Sequence, residues 1–243
     1  MMSHSSDTDT LDLTYGLDTF EKTAGAGNTA GALMLALKRD ILNGVFAADQ
    51  KLLMSSLKER YQVGTGPLRE ALSQLVVERL VTVEDQRGYR VPPMSREEMQ
   101  DLYRVRAEIE SLCITQALEL GDLTWESEVL AAMHRLAATS KQVGKGLDEL
   151  LAWERHHQAF HFVIASGCNS PTLLQIRQSL YERTARYRLL WLKDNMSNQA
   201  YFDSNQKEHE ELCRLVLARD KAGAVALITH HLQSPSRMLS EWF

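Results

Sequence analysis

No stretch constrains what this chain can fold into more than Lys51 to Val91, KLLMSSLKERYQVGTGPLREALSQLVVERLVTVEDQRGYRV. Leu53, Leu57 and Tyr61 recur every fourth residue, which predicts a short helix over Met54 to Tyr61 with one apolar face. Gln62, Val63 and Gly64 make a turn. A second helix is predicted to begin between Thr65 and Pro67, because a proline in the first turn gives up an N–H that would have had no partner there. Leu68, Ala71, Leu72, Leu75 and Val76 supply its apolar stripe. β-Branched residues then replace the helical period and predict strands at Val81 to Glu84 and Tyr89 to Val91, joined through Asp85, Gln86, Arg87 and Gly88.

Helix, tight turn, helix and wing in this order make a winged helix-turn-helix, which docks the amino-terminal residues of its second helix in the DNA major groove. On that plan Ser55 and Lys58 on the first helix and Thr65, Gly66, Pro67 and Arg69 on the second face DNA. Arg87, Gly88 and Arg90 lie at the wing tip, where guanidiniums can reach phosphates or a minor groove. A small helical domain with solvated arginines is the bland alternative; turn, helix and wing together weigh against it. One short recognition helix reads few bases, so a homodimer on a palindromic double-stranded operator is expected.

A formal net charge of −5 argues against nucleic acid only until its distribution is read. Residues 28–92 carry nine Lys or Arg against seven Asp or Glu and form the one net-positive segment, so charge permits DNA binding without indicating it. Of the 243 residues 44% are hydrophobic, enough for a core, yet no apolar run reaches membrane-spanning length and no basic-then-apolar leader opens the chain. A cytoplasmic protein without a membrane partner is expected. Cys113, Cys168 and Cys213 are odd in number and far apart, which fits reduced structural thiols.

Residues 1–28, rich in Ser, Thr, Asp and Gly, read as a disordered tail, and residues 29–92 as the winged domain, opened by a helix over Thr29 to Asn43 that ends at Gly44. Pro92 and Pro93 break the chain, leaving 93–95 as a linker. Ser95 to Glu98 is a capping-box pattern, and from 96 to 243 there is almost no strand signal. Helical periods recur over Ser95–Leu120, Trp125–Val143, Leu147–Ser166, Pro171–Asp194, Ala200–Ala218 and Ala222–Leu232. The fold class is therefore mostly α: a winged helix-turn-helix followed by an all-helical bundle over 96–243.

Chemistry in the bundle centres on histidine. His157 and His161 are four apart on one helix, while His209 and His231 lie on two later helices. Three helices converging would offer a nitrogen-rich site suited to zinc or nickel. Histidines at this spacing are also often a solvated pair or satisfied core residues. Arg183, Arg186 and Arg188 share a helix with Tyr181, Tyr187 and Trp191, and a guanidinium inside a pocket pairs with a carboxylate through two hydrogen bonds. A helical metalloenzyme is disfavoured because His209 is followed by Glu210, Glu211, Leu212 and Cys213, not by a His-Glu-x-x-His pattern, and neither a nucleophile motif nor a phosphate loop is present. A regulator that senses the metal itself is the other alternative.

Lys51 to Val91, with PLREAL at Pro67 to Leu72, resembles the amino-terminal domain of the GntR family of bacterial transcription regulators. It departs from the common pattern where Ser55 replaces an arginine and Gly64–Thr65 replace a Ser-Arg pair, so Arg69 remains while two usual DNA-contacting arginines are missing. The remainder is similar to the FCD effector domain of the family's FadR branch. That resemblance implies a metal held by an acid or amide, a His four residues on, and two later histidines, which here fall on His157, His161, His209 and His231. Histidine at the position of the acid removes a negative charge and leaves the site more positive toward an anion. The same resemblance places Arg106 on the first effector-domain helix, and Arg186, Tyr187 and Arg188, from the arginine- and tyrosine-bearing helix, are the further candidates around a small carboxylate. GPLREALSQLV, ERLVTV, GYRV, HQAFH and ARYR are similar to the glutarate-responsive repressors of that branch, implying control of a catabolic operon by a short dicarboxylate.

Overall fold

Leu33, Leu37 and Ile41 stand one turn apart and are buried, and around them α1 runs from Thr29 to Leu42 in the computed structural model, which describes residues 29–84 and 88–239. Gly44, at φ +68°, turns the chain after α1 where a side chain would be strained. Met54–Tyr61 forms α2 and Thr65–Val77 forms α3, as the apolar spacing predicts. Between them Gln62 takes a left-handed conformation at φ 52°. Asp40, buried on α1, accepts from Arg60 Nε at 3.1 Å and Nη2 at 2.9 Å and from Tyr61 Oη at 2.7 Å, tying α2 to α1.

The wing has three strands rather than two. β1 (Lys51–Leu52) pairs antiparallel with β3 (Gly88–Arg90), which pairs antiparallel with β2 (Thr82–Glu84), giving the order β1-β3-β2. Two residues are too short to show a period of two, which hides β1 in the sequence. The expected strand ends shift by a residue or so: Val81 and Val91 instead point into the winged domain's own apolar core with Leu57, Leu68, Leu72 and Leu75. Residues 1–28, expected to be a disordered tail, and Arg87 of the wing lie outside the described residues.

Six further helices follow: α4 (Arg96–Leu120), α5 (Leu123–Ser140), α6 (Leu147–Ser166), α7 (Pro171–Asp194), α8 (Gln199–Leu217) and α9 (Lys221–Leu239). Ser95 caps α4 through its side chain, but Glu98 does not complete the capping box; its carboxylate accepts instead from Arg183 at 2.9 Å and Tyr187 at 2.8 Å on α7. α5 starts at Leu123, capped by Asp122, and α9 continues through Pro235 to buried Leu239, beyond the end its apolar period suggested. A second apolar core, containing Met99, Trp153, Phe160, Leu192, Phe202 and Ile228, fills the bundle. Trp125 enters it between Gly121 and Gly167, where an added Cβ would lie 2.3 Å and 2.7 Å from the indole. No described helix is long and apolar enough to cross a membrane.

α7 is the helix both domains share. Lys38 of α1 bridges Glu78 at 3.0 Å and Glu182 of α7 at 2.7 Å, Arg186 donates to the Pro92 carbonyl at 2.9 Å, and Lys193 donates to the Asn43 carbonyl. Burial works against the Lys38 ammonium, and Glu182 and Glu78 more than offset it, so its pKa is raised.

Candidate metal and anion centre

Three helices carry their histidines inward to one point. Glu154, His157 and His161 follow the 3- and 4-residue steps of one face of α6, while α8 contributes His209 and α9 His231, and all four imidazoles are buried. One ring nitrogen from each lies within 4.8 Å of the others. His161 Nε2 and His209 Nε2 are 3.0 Å apart, and His231 Nδ1 lies 2.8 Å from Glu208 Oε2. Burial first, and the positive charge neighbouring groups would add second, hold His157, His161 and His209 well below the usual histidine range, so they are neutral at pH 7. Neutral imidazole is the ligating form, and Glu208 behind His231 is a carboxylate that orients a ligand ring. The donor set thus fits a divalent ion such as zinc or nickel, whose bonds to imidazole nitrogen are about 2.0 to 2.1 Å.

Beside the imidazoles lies a buried ionic network that pure packing would not need. Arg106 on α4 donates Nη1 to Thr184 Oγ1 at 2.9 Å and sits 3.6 Å from Glu110 Oε1, while Arg177 on α7 donates Nε to Glu110 Oε2 at 2.8 Å. Arg188 binds the Glu154 carboxylate, Tyr181 Oη at 3.1 Å and His157 Nδ1 at 3.2 Å. Burial is the largest influence on the Arg188 charge and opposes it, but Glu154 together with Tyr181, Tyr103 and Tyr201 outweighs it and the pKa is raised; Arg106, with weaker pairing, is lowered by burial. Among the described residues, Arg106 Nε, both terminal nitrogens of Arg177, Arg188 Nε and Tyr103 Oη are buried donors with no protein partner. Such donors are costly unless an oxygen-bearing ligand or water accepts from them, which suits this centre to an anion.

The residues singled out from sequence separate into those this centre gathers and those it does not. His157, His161, His209, His231, Arg106 and Arg188 meet here. Arg186 and Tyr187 do not: Arg186 clasps the linker at Pro92, and Tyr187 Oη, held to Glu98, accepts from the Ser95 N–H at 3.3 Å. They are domain-junction residues because successive helix positions point about 100° apart, and Arg188 takes the inward direction. Arg177, Tyr181, Thr184, Glu110, Glu154 and Glu208 were missed. A signal existed for several, since Arg177, Tyr181, Thr184 and Arg188 keep 4-3-4 spacing along α7 and Tyr103, Arg106 and Glu110 keep 3-4 spacing along α4.

On the winged domain Ser55, Lys58, Thr65, Gly66 and Arg69 are exposed along α2 and the start of α3, Pro67 is half-buried, and Gly88 is exposed at φ +95°. A Cβ on Gly64 or Gly66 would meet nothing within 4 Å, so no contact within the chain requires glycine there. Arg90 departs from its expected place at the wing tip. It is bound to Glu84 at 2.7 Å and to Asp49 at 3.3 Å across the sheet, since its β3 position lies opposite Lys51 and Thr82.

A winged helix-turn-helix joined to a helical domain with a buried cationic centre is the make-up of a two-domain transcription regulator. The chain belongs to the GntR family of bacterial regulatory proteins, whose DNA-binding domain matches residues 29–91, and its second part is an FCD domain, matching residues 101–234. It is 44% identical to the HTH-type transcriptional repressor GlaR of Escherichia coli K12 over 84% of this chain and 93% of that one. It is 34% identical to the regulator BphR of Paraburkholderia xenovorans LB400 over 82% and 80%. Among solved structures it superposes on McbR/YncC of E. coli with TM-score 0.75 at 20% identity, covering 89% of this chain and 99% of that one. A GntR regulator of Rhodococcus sp. RHA1 gives 0.71 at 19% identity, covering 89% and 100%.

Proposed function

We propose that this regulator is a homodimeric repressor of a catabolic operon, released from a palindromic operator when a small dicarboxylate enters the FCD domain beside a histidine-bound divalent metal. The observation that carries this reading is the buried cluster of histidines set against arginines whose N–H groups lack acceptors. Charge favours a dianion: Arg106, Arg177 and Arg188 outnumber Glu110 and Glu154, and a divalent ion adds two further positive charges in a medium where unbalanced charge is expensive. Glutarate, the effector type the sequence resemblance implies, has this charge. Histidines of this cluster would hold the ion, with Glu208 orienting the His231 ring, and the ion would supply positive charge for a carboxylate oxygen. Arg106, Arg177, Thr184 and Arg188 would bind and orient the anion while Phe160 and Trp153 exclude water.

Coupling to DNA is supported by α7, which carries Arg177, Thr184 and Arg188 toward the pocket and Glu182, Arg186 and Lys193 toward the winged domain. The linker and α4 join it through Ser95 and Glu98. Thermal shift against short mono- and dicarboxylates, with and without chelator, combined with titration into a protein–operator mixture, tests the reading. Dicarboxylates should stabilise the metal-loaded protein and weaken operator binding. Acids that bind without altering DNA affinity would remove the coupling, acids that fail to bind would remove the pocket, and operator release by chelator alone would mark a metal sensor.

A further inference from the structure

Four histidines meet in the bundle, but one of them has no lone pair to offer. A neutral imidazole has a single nitrogen lone pair, and a guanidinium can only donate. Arg188 Nη1 lies 3.2 Å from His157 Nδ1, so Nδ1 accepts and the ring proton resides on Nε2. The opposite tautomer would aim an Nδ1–H at an arginine N–H, and Glu154 Oε2, at 3.8 Å, is beyond hydrogen-bond reach. Arg188 is not free to turn aside, because Glu154 and Tyr181 hold its other terminal nitrogen. His157 is fixed as well, stacked on Trp153 with centroids 4.9 Å apart and planes at 19°. Whichever nitrogen faces the other imidazoles, it is either taken by Arg188 or protonated.

The other three histidines differ. His161 and His209 turn Nε2 toward each other at 3.0 Å, a separation near what two nitrogens bound to one ion need, and His231 keeps Nε2 available because Glu208 takes Nδ1 at 2.8 Å. His157 Nε2 is buried and has no partner among the described residues, so its N–H lacks an acceptor. Building on the metal and carboxylate reading above, we infer that His161, His209 and His231 alone hold the divalent ion, and that His157, its tautomer fixed by Arg188, donates Nε2–H to an oxygen of the carboxylate effector. The histidine that stands at the position of an acidic ligand thereby becomes a determinant of anion binding.

His157→Phe keeps a ring to stack on Trp153 and removes both nitrogens, and His157→Ala removes the ring; circular-dichroism melts establish that either variant is folded. Zinc content, zinc affinity by chelator competition, the absorption bands of the cobalt-loaded protein and glutarate affinity are measured for wild type, both variants and His161→Ala. Both His157 variants should retain about one zinc per chain, lose no more than the roughly tenfold in affinity at the low end for a group outside the ligand set, and keep the cobalt bands in place. Glutarate binding to the zinc-loaded variants should weaken by about 10- to 100-fold, the loss of one hydrogen bond to a charged group. His161→Ala should lose the metal. Zinc loss or a displaced cobalt spectrum in the His157 variants would make His157 a ligand and overturn the inference, as would unchanged glutarate affinity. Failure of the wild type to take up zinc, or of every short carboxylate to bind it, would instead remove the underlying metal or effector reading.

Discussion

Arg69 is the sharpest test at the scale of single residues, because its neighbours at the start of α3 offer so little else to read a base. Thr65 and Gly66 present one hydroxyl and no side chain, and Ser55 is short, so the exposed guanidinium of Arg69 is the long donor at the start of α3, with Lys58 beside it on α2. Arg69→Ala is expected to cost about 1 to 3 kcal/mol of operator binding and to relax preference at one base position, measured by fluorescence anisotropy on operator variants. Equal affinity of wild type and variant across those operators would move recognition elsewhere. Arg90 makes the contrast: paired with Glu84 and Asp49, it braces the sheet and is a poor candidate for direct readout.

At the scale of elements, α7 has two jobs on two faces. Its inward residues meet the candidate anion centre, while Glu182, with Lys38 and the more exposed Glu78, forms a charge bridge to α1. Allosteric coupling requires the ligand to bind the two domain arrangements differently, and a bridge that exists in one arrangement is a natural carrier of that difference. Lys38→Met should leave carboxylate affinity near wild type, since Lys38 touches no pocket residue. It should shrink the ratio of operator affinities without and with ligand from the typical 5- to 150-fold toward roughly unity. A full ratio in the variant would place the coupling in the linker contacts of Arg186 and Tyr187.

For the whole molecule, the buried imidazoles link stability to pH. In the unfolded chain His157, His161 and His209 titrate near about 6.5, whereas burial lowers each one in the fold. Below the unfolded value the unfolded chain takes up protons that the folded chain refuses. Stability is therefore fully present above that pH and falls as pH drops beneath it, by about 1.4 kcal/mol per pH unit for each such histidine. Urea unfolding of chelator-treated protein should show this loss between about pH 6.5 and 5, and metal loading should add stability that fades over the same range as protons compete for the ligands. A flat profile in the metal-free protein would mean that the imidazoles are not buried neutral.

Local physics made the winged domain legible. Periods of 3.6 over Met54 to Val77, a proline in a first turn, and a change to β-branched residues each act within a few residues, so the sequence determined α2, α3 and two of the three strands. It offered four histidines without deciding that they converge: His157 and His161 share a helix face, while His209 and His231 joined them only through the family resemblance, and their meeting at one point is a tertiary fact. Only the tertiary structure decided what those groups do. α7 is buried against the bundle on one side and against α1 on the other, so Glu182, Thr184, Arg186, Tyr187 and Arg188 are all inaccessible and no apolar stripe marks which arginine faces the pocket. That choice, and the commitment of the His157 lone pair to Arg188, rests on a contact between residues 31 apart in sequence, fixed by how α6 and α7 pack rather than by either helix alone.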